Sequence, residues 1–237
     1  MPPTNPVRSF CGWWTPAAWT ERKSGSAVPK TIYVVTHPEA THHVERLVGG
    51  WHDSVLTANG RRDAQVIARV LRARIPSDVE AELFSSDSLR ARTTAEAIGE
   101  SLGAHVIADP RLREKSYGIA DGRPQGWLDT RFVPPPRSGE RLLHDEGIPG
   151  AETKADFAAR VFAAMAEITA SDATHQVIVT HGFTLTFIIA AWIGMPLSAV
   201  GSVNFRADPG SVSTLHEDDH FHNRQVSALA ERLAFYD

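Results

Sequence analysis

The sequence predicts an α/β fold, a three-layer sandwich with a mostly parallel central sheet covered by helices on both faces. Short β-branched runs alternate with longer segments whose apolar residues recur at helical spacing, the pattern of strand–helix–strand units. Two of these runs, Thr31-Ile32-Tyr33-Val34-Val35-Thr36 and Gln176-Val177-Ile178-Val179-Thr180, have apolar centres without a polar alternate, as strands covered on both faces do. Each run leads directly into a histidine, His37 or His181. Open α/β sheets carry their chemistry at the carboxyl ends of such strands. The two histidines are therefore expected to face one pocket from adjacent parallel strands.

Taken in order, residues 1–30 stand apart, with several prolines, Trp13, Trp14, Trp19, a Lys23-Ser24-Gly25-Ser26 stretch and no clean period. They read as a poorly ordered extension, or an upstream start codon, ahead of one domain over 31–237; the long apolar core of a signal peptide is missing. Strand 31–36 leads into a loop rich in glycine and histidine. Thr57 and Gly60 open a helix at about 60–75, with Ala64, Ile67, Ala68 and Leu71 on one face. A short strand at about 81–85 precedes a helix at about 88–102 closed by Gly103, then a strand near 104–108. Segment 120–150, with Pro134-Pro135-Pro136 and five glycines, reads as loop. Phe157, Val161, Met165 and Ile168 mark a helix over 152–170. Strand 176–180 and an apolar helix at about 183–194 follow. Strands near 201–206 and 211–216 are expected to form an edge hairpin across Asp208-Pro209-Gly210, with a last strand or helix near 222–235.

Composition narrows the function. The chain has 237 residues, 42% hydrophobic and 22% charged, with a net charge of −4, which gives no basis for attraction to nucleic acid. No apolar run approaches the roughly 18 residues of a membrane span. Cys11 is the single cysteine, so no internal disulfide forms, which suits a reducing, cytoplasmic setting. The apolar helix 183–194 and the edge hairpin are the surfaces on which a homodimer would form.

Between the two strand-end histidines lie further ordered blocks. They are Gly50-Trp51-His52-Asp53-Ser54-Val55-Leu56-Thr57-Ala58-Asn59-Gly60, the stretch Ser86 to Ala95 around Arg90, and Leu112-Arg113-Glu114 followed by Tyr117-Gly118. With Thr36-His37-Pro38 before them and Thr180-His181-Gly182 after, this succession resembles the histidine phosphatase superfamily, the phosphoglycerate mutase-like group, over about residues 31 to 226. The resemblance implies that His37 is the nucleophile, Arg90 binds phosphate, Glu114 is the acid, and His181 is the second pocket histidine. The chemistry suits these types. A neutral imidazole can carry a phosphoryl group. A guanidinium fork matches phosphate oxygens. A carboxylic acid can protonate the leaving oxygen and then activate water. No metal or cofactor is required.

The chain also departs from the family pattern. Thr36 stands where the family has its first arginine, and Pro38 where it has glycine. His43 aligns with a pocket asparagine and Leu47 with a second loop arginine. Thr36, His43, Gly182 and the neighbouring Arg46 are expected to complete the substrate site, with Arg46 a candidate to replace the missing charge. The implied function is a phosphatase of a small phosphorylated metabolite. Mutase chemistry is less expected, because segment 120–150 is modest. The missing arginine keeps two rivals open: a same-fold isomerase, lyase or other hydrolase in specialised metabolism, and a non-catalytic anion-binding module. His37, His42, His43 and His181 offer imidazoles to a metal, but no carboxylate partner or helical His-x-x-x-His pair supports a metal in the sequence. His216, His220 and His222 read as a solvated turn.

Overall fold

Strand β1 (Thr31–Thr36) lies inside a six-stranded sheet in a computed structural model that describes residues 29–233. The other strands are β2 (Glu82–Ser85), β3 (Val106–Ala108), β4 (His175–Thr180), β5 (Ser211–Glu217) and β6 (Arg224–Arg232), in the spatial order β3-β2-β4-β1-β5-β6. β1, β2, β3 and β4 are parallel; β5 and β6 run antiparallel to their neighbours. The apolar run of β1 divides between two layers. Ile32 and Val34 pack with Ile178 against Phe157 and Val161 of α5 (Lys154–Ala170) and Leu185 and Ile188 of α6 (Thr184–Trp192). Tyr33 and Val35 pack with Val177 and Val179 against Ile67 and Leu71 of α2 (Ala58–Arg74) and Ala91 and Ile98 of α3 (Leu89–Leu102). The run lacks polar alternation because both faces are covered. Two short helices, α1 (Thr41–Glu45) and α4 (Gln125–Asp129), sit on the loops above the sheet.

Local chemistry sets the ends. The Thr57 hydroxyl accepts from the Gly60 N–H at 3.0 Å and caps α2. Gly103 closes α3 in the left-handed conformation (φ 69°). Segment 120–150 is mostly loop but contributes α4 and a small apolar cluster of Val48, Ala120, Leu128 and Ile148.

Three expectations change. Residues 201–206 form no strand: Leu197–Ser202 is a 3-10 turn and the following residues are irregular. The Gly201 and Val203 carbonyls accept instead from Lys154 Nζ (2.9 and 3.1 Å), and Arg141 Nε also reaches Gly201. The edge hairpin is β5–β6, turned by Asp218, whose carboxylate accepts from the N–H groups of His220, Phe221 and Asn223. His220 and His222 lie in that exposed turn, but His216 belongs to β5 and meets Thr31 Oγ1 at 3.1 Å. Finally, the apolar side chains of α6 are buried in the core rather than offered to a second subunit, which leaves β6, one of the two edge strands, as the surface of the hairpin open to a second copy. Residues 1–28 of the expected extension lie outside the described residues. Among those described, no helix is long and apolar enough to cross a membrane.

Candidate active site

Parallel register brings the two histidines together. Thr36 pairs with Thr180, and the His37 N–H donates to the Thr180 carbonyl at 2.9 Å. Both rings leave the sheet at one level, with centroids 5.1 Å apart and planes at 70°. His37 is buried. Its Nδ1 meets the Pro38 carbonyl at 2.8 Å. A carbonyl only accepts, so Nδ1 carries the proton and Nε2 keeps its lone pair. That lone pair receives Nε–H of Arg90 at 3.1 Å. Burial, and then the Arg90 charge, hold the His37 pKa well below that of an ordinary histidine, so the ring is neutral.

Arg90 lies in the first turn of α3 and is 1% exposed. Its Nη1 donates to the His52 carbonyl (2.6 Å) and Nη2 to that of Gly50 (2.7 Å). These bonds fix the fork against the Gly-Trp-His-Asp loop. Asp53 accepts the Leu89 N–H at 2.7 Å and so holds the same loop to the start of α3.

His181 presents Nε2 to Ser86 Oγ (2.9 Å) and Ser88 Oγ (3.3 Å). Its Nδ1 is buried and has no partner among the described residues. Burial and the Arg90 charge keep this imidazole neutral too.

Glu114 sits at the entry to α6. Oε2 accepts the Phe183 N–H (3.0 Å) and Oε1 the Lys115 N–H (2.9 Å). Burial raises its pKa above the usual carboxylate range, against the pull of those two N–H groups. Arg160 of α5 fixes the segment before it: Nη1 donates to the Arg111 and Arg113 carbonyls (2.8 and 2.7 Å), Nη2 to that of Glu114 (2.8 Å), and Glu152 holds the guanidinium from the other side at 2.7 Å.

The loop histidines crowd His37. The His43 ring stacks on it at 5.6 Å and 14°, and its Nδ1 accepts the Ala40 N–H at 3.1 Å, which leaves the proton of the neutral ring on Nε2. Buried His42 meets His37 edge-on at 5.9 Å and pairs Nδ1 with Ser54 Oγ at 2.7 Å. Burial lowers its pKa to about 3.

Two sequence-selected residues lie elsewhere. The Thr36 hydroxyl donates to the Asp208 carbonyl (2.7 Å) and accepts the Ser211 N–H (3.1 Å), so it joins β1 to the start of β5 rather than lining the pocket. Arg46 is exposed in a left-handed conformation (φ 56°) at the end of α1. Its guanidinium forms no hydrogen bond or ion pair among the described residues, so nothing here sets it in the place of the missing charge. Gly182 separates His181 from Phe183; a Cβ there would meet nothing nearer than the Ala207 carbonyl at 3.6 Å, so packing does not demand glycine. Sequence reasoning passed over Ser86, Ser88 and Asp53 as individuals, although they lie inside its motif blocks. It passed over Arg160 entirely, because a helical arginine carries no local mark of reaching loop carbonyls.

These features fit one family. Residues 32–231 match the histidine phosphatase superfamily (branch 1), and the chain belongs to that superfamily. Among its relatives, "Probable phosphoglycerate mutase GpmB" of Proteus mirabilis (strain HI4320) is 32% identical over 176 residues, covering 74% of this chain and 80% of the relative. The native structure of mycobacterial glucosyl-3-phosphoglycerate phosphatase superposes with a TM-score of 0.69 at 25% identity, covering 86% of this chain and 100% of the other. The alpha-ribazole phosphatase from Shigella flexneri shares the fold, with a TM-score of 0.66 at 23% identity over 87% of this chain and 99% of the other. Family and phosphatase neighbours together class the protein as a phosphatase-type enzyme.

Proposed function

We propose that the protein hydrolyses the phosphomonoester of a small metabolite through a phospho-His37 intermediate. One observation carries this reading: a neutral imidazole has its Nδ1–H tied to the Pro38 carbonyl and its Nε2 lone pair in contact with Arg90. Nε2 attacks phosphorus as the bond from phosphorus to the leaving oxygen breaks, and protonated Glu114 gives that oxygen its proton. The Glu114 carboxylate then takes a proton from water, whose oxygen attacks phosphorus and breaks the N–P bond. Arg90, the Nε2–H of His43 and, as its Nδ1–H tautomer, His181 are the donors for the equatorial oxygens. A cavity of about 200 Å³ beside Phe183, lined by Tyr117, Phe132, Arg141 and Lys154 among others, suits the remainder of a small organic phosphate and offers cations for a second anionic group. The setting we infer is cytoplasmic, and a homodimer, if formed, would use the β6 edge.

Thr36 favours a second reading, in which the same groups serve an isomerase, lyase or other hydrolase, since among the described residues no guanidinium beside Arg90 replaces the family's first arginine. The test is labelling with a panel of 32P-phosphomonoesters. The phosphatase reading expects an acid-labile, alkali-stable label that is absent from His37→Ala, with no loss of labelling or turnover on adding chelator. A folded wild-type protein that takes no label and releases no phosphate from any member would hand the site to the second reading.

A further inference from the structure

We propose that His37, His42 and His43 form a binding site for one divalent transition-metal ion of the zinc type. His42 is a buried imidazole that the phosphoryl mechanism leaves without a task. The three residues each offer a ring nitrogen, and these nitrogens all lie within 4.8 Å of one another. Tetrahedral zinc with Zn–N bonds of about 2.0–2.1 Å sets its ligand nitrogens about 3.3 Å apart, so ring rotations of about an ångström close the site. Two of the rings are already held as metal-ligating histidines are held. His37 gives Nδ1–H to the Pro38 carbonyl, and His42 pairs Nδ1 with Ser54 Oγ, which leaves both Nε2 atoms to coordinate. His43 is exposed, and the Ala40 N–H is its one hydrogen-bond partner among the described residues. On coordinating through Nε2 it releases the Ala40 N–H, and its ring proton moves to Nδ1. Neutral imidazoles select zinc, copper, nickel or cobalt over magnesium or calcium.

Arg90 is the opposing feature. The ion would take the lone pair that its Nε–H now holds. The guanidinium stays anchored on Gly50 and His52, and the Asp53 carboxylate acts on it favourably. The ion also takes the lone pair that would attack phosphorus, a consequence that rests on the phosphohistidine reading, whereas the site itself does not.

The test titrates chelator-stripped full-length protein with Co2+, followed by its visible ligand-field absorption, and with Zn2+ by calorimetry. One ion per chain is expected, with affinity at least tenfold lower in His42→Gln and in His43→Gln. Thermal melts verify the variants, and the exposed His43 decides should His42→Gln unfold. His220→Ala/His222→Ala, in the β5–β6 turn, should bind as wild type does. Absence of saturable binding, or its loss in the turn variant instead, would overturn the site. One equivalent of Zn2+ should also suppress 32P-labelling of His37, and undiminished labelling with the ion bound would remove His37 from the ligand set. Because Co2+ absorption needs no turnover, failure of the metal site and failure of the phosphatase reading register separately.

Discussion

Glu114 and Thr36 bound the chemistry from opposite sides. Burial raises the Glu114 pKa, so the acid form persists to higher pH than in an exposed carboxyl. On the proposed mechanism, leaving-group protonation falls away only as pH rises through that elevated value. Glu114→Gln should lower kcat on alkyl phosphomonoesters by about 10²–10⁴, erase the alkaline limb of the pH profile, and affect an aryl phosphate, whose leaving oxygen needs no acid, much less. Equal losses on both classes would remove Glu114 from the acid role. At Thr36 the expectation is a gain. In Thr36→Arg with Pro38→Gly the longer side chain has to turn from the Asp208 and Ser211 contacts toward His37; a guanidinium there is worth about 10³–10⁵ in other phosphoryl-transfer sites, so a rise of at least about tenfold is expected on a phosphate panel. The same change removes the buried hydroxyl bonds to Asp208 and Ser211, at a cost of about 1–3 kcal/mol that a melt would register. A folded variant with no gain would show that the arginine is not what limits turnover.

At the scale of elements, the acid segment depends on the loops that clasp it. Lys115, 1% exposed, pairs with Glu146 of the 120–150 segment at 2.7 Å and lies 4.4 Å from the Tyr117 ring. Glu146→Gln should cost about 3 kcal/mol by leaving the ammonium buried without its counter-charge, and Lys115→Met in the same chain should recover most of it. Paired denaturation curves measure both, and additive losses would deny the coupling. This clasp was not legible in the sequence, where 120–150 shows only its prolines and glycines. The helices α2, α3 and α5 were legible because burial of one face imposes a period on them, and β1 and β4 because cover on both faces leaves a continuous apolar run. α1 was not: five residues after Ala40, which has no side-chain oxygen for a cap, carry no start signal. The 201–206 stretch looked like a strand because its pattern cannot show that Lys154 and Arg141 take its carbonyls. In the site, His37, Arg90, Glu114 and His181 were visible as motif positions. The structural task of Thr36 is not visible there, because its partners, Asp208 and Ser211, are remote in sequence.

For the molecule as a whole, anion binding and folding are linked. A ligand that binds only the folded chain stabilises it by about 2.7 kcal/mol at 100 times its Kd, and each kcal/mol moves the Tm of a domain this size by about 2–4 °C. Inorganic phosphate is therefore expected to raise the Tm by several degrees, and Arg90→Met to abolish that increment whatever its own starting Tm. An undiminished increment in the variant would place the anion elsewhere. The pairing of Thr36 with Thr180 has a further outcome. A slip of β1 by one residue would send Ile32 and Val34 to the wrong layer and carry His37 away from His181 in the same step. Such a mis-threaded chain could keep much of its strand content and still lack a nucleophile beside its partner. Specific activity, divided by the signal from secondary structure, thus counts the fraction of molecules in which the two halves of the chain have met in step.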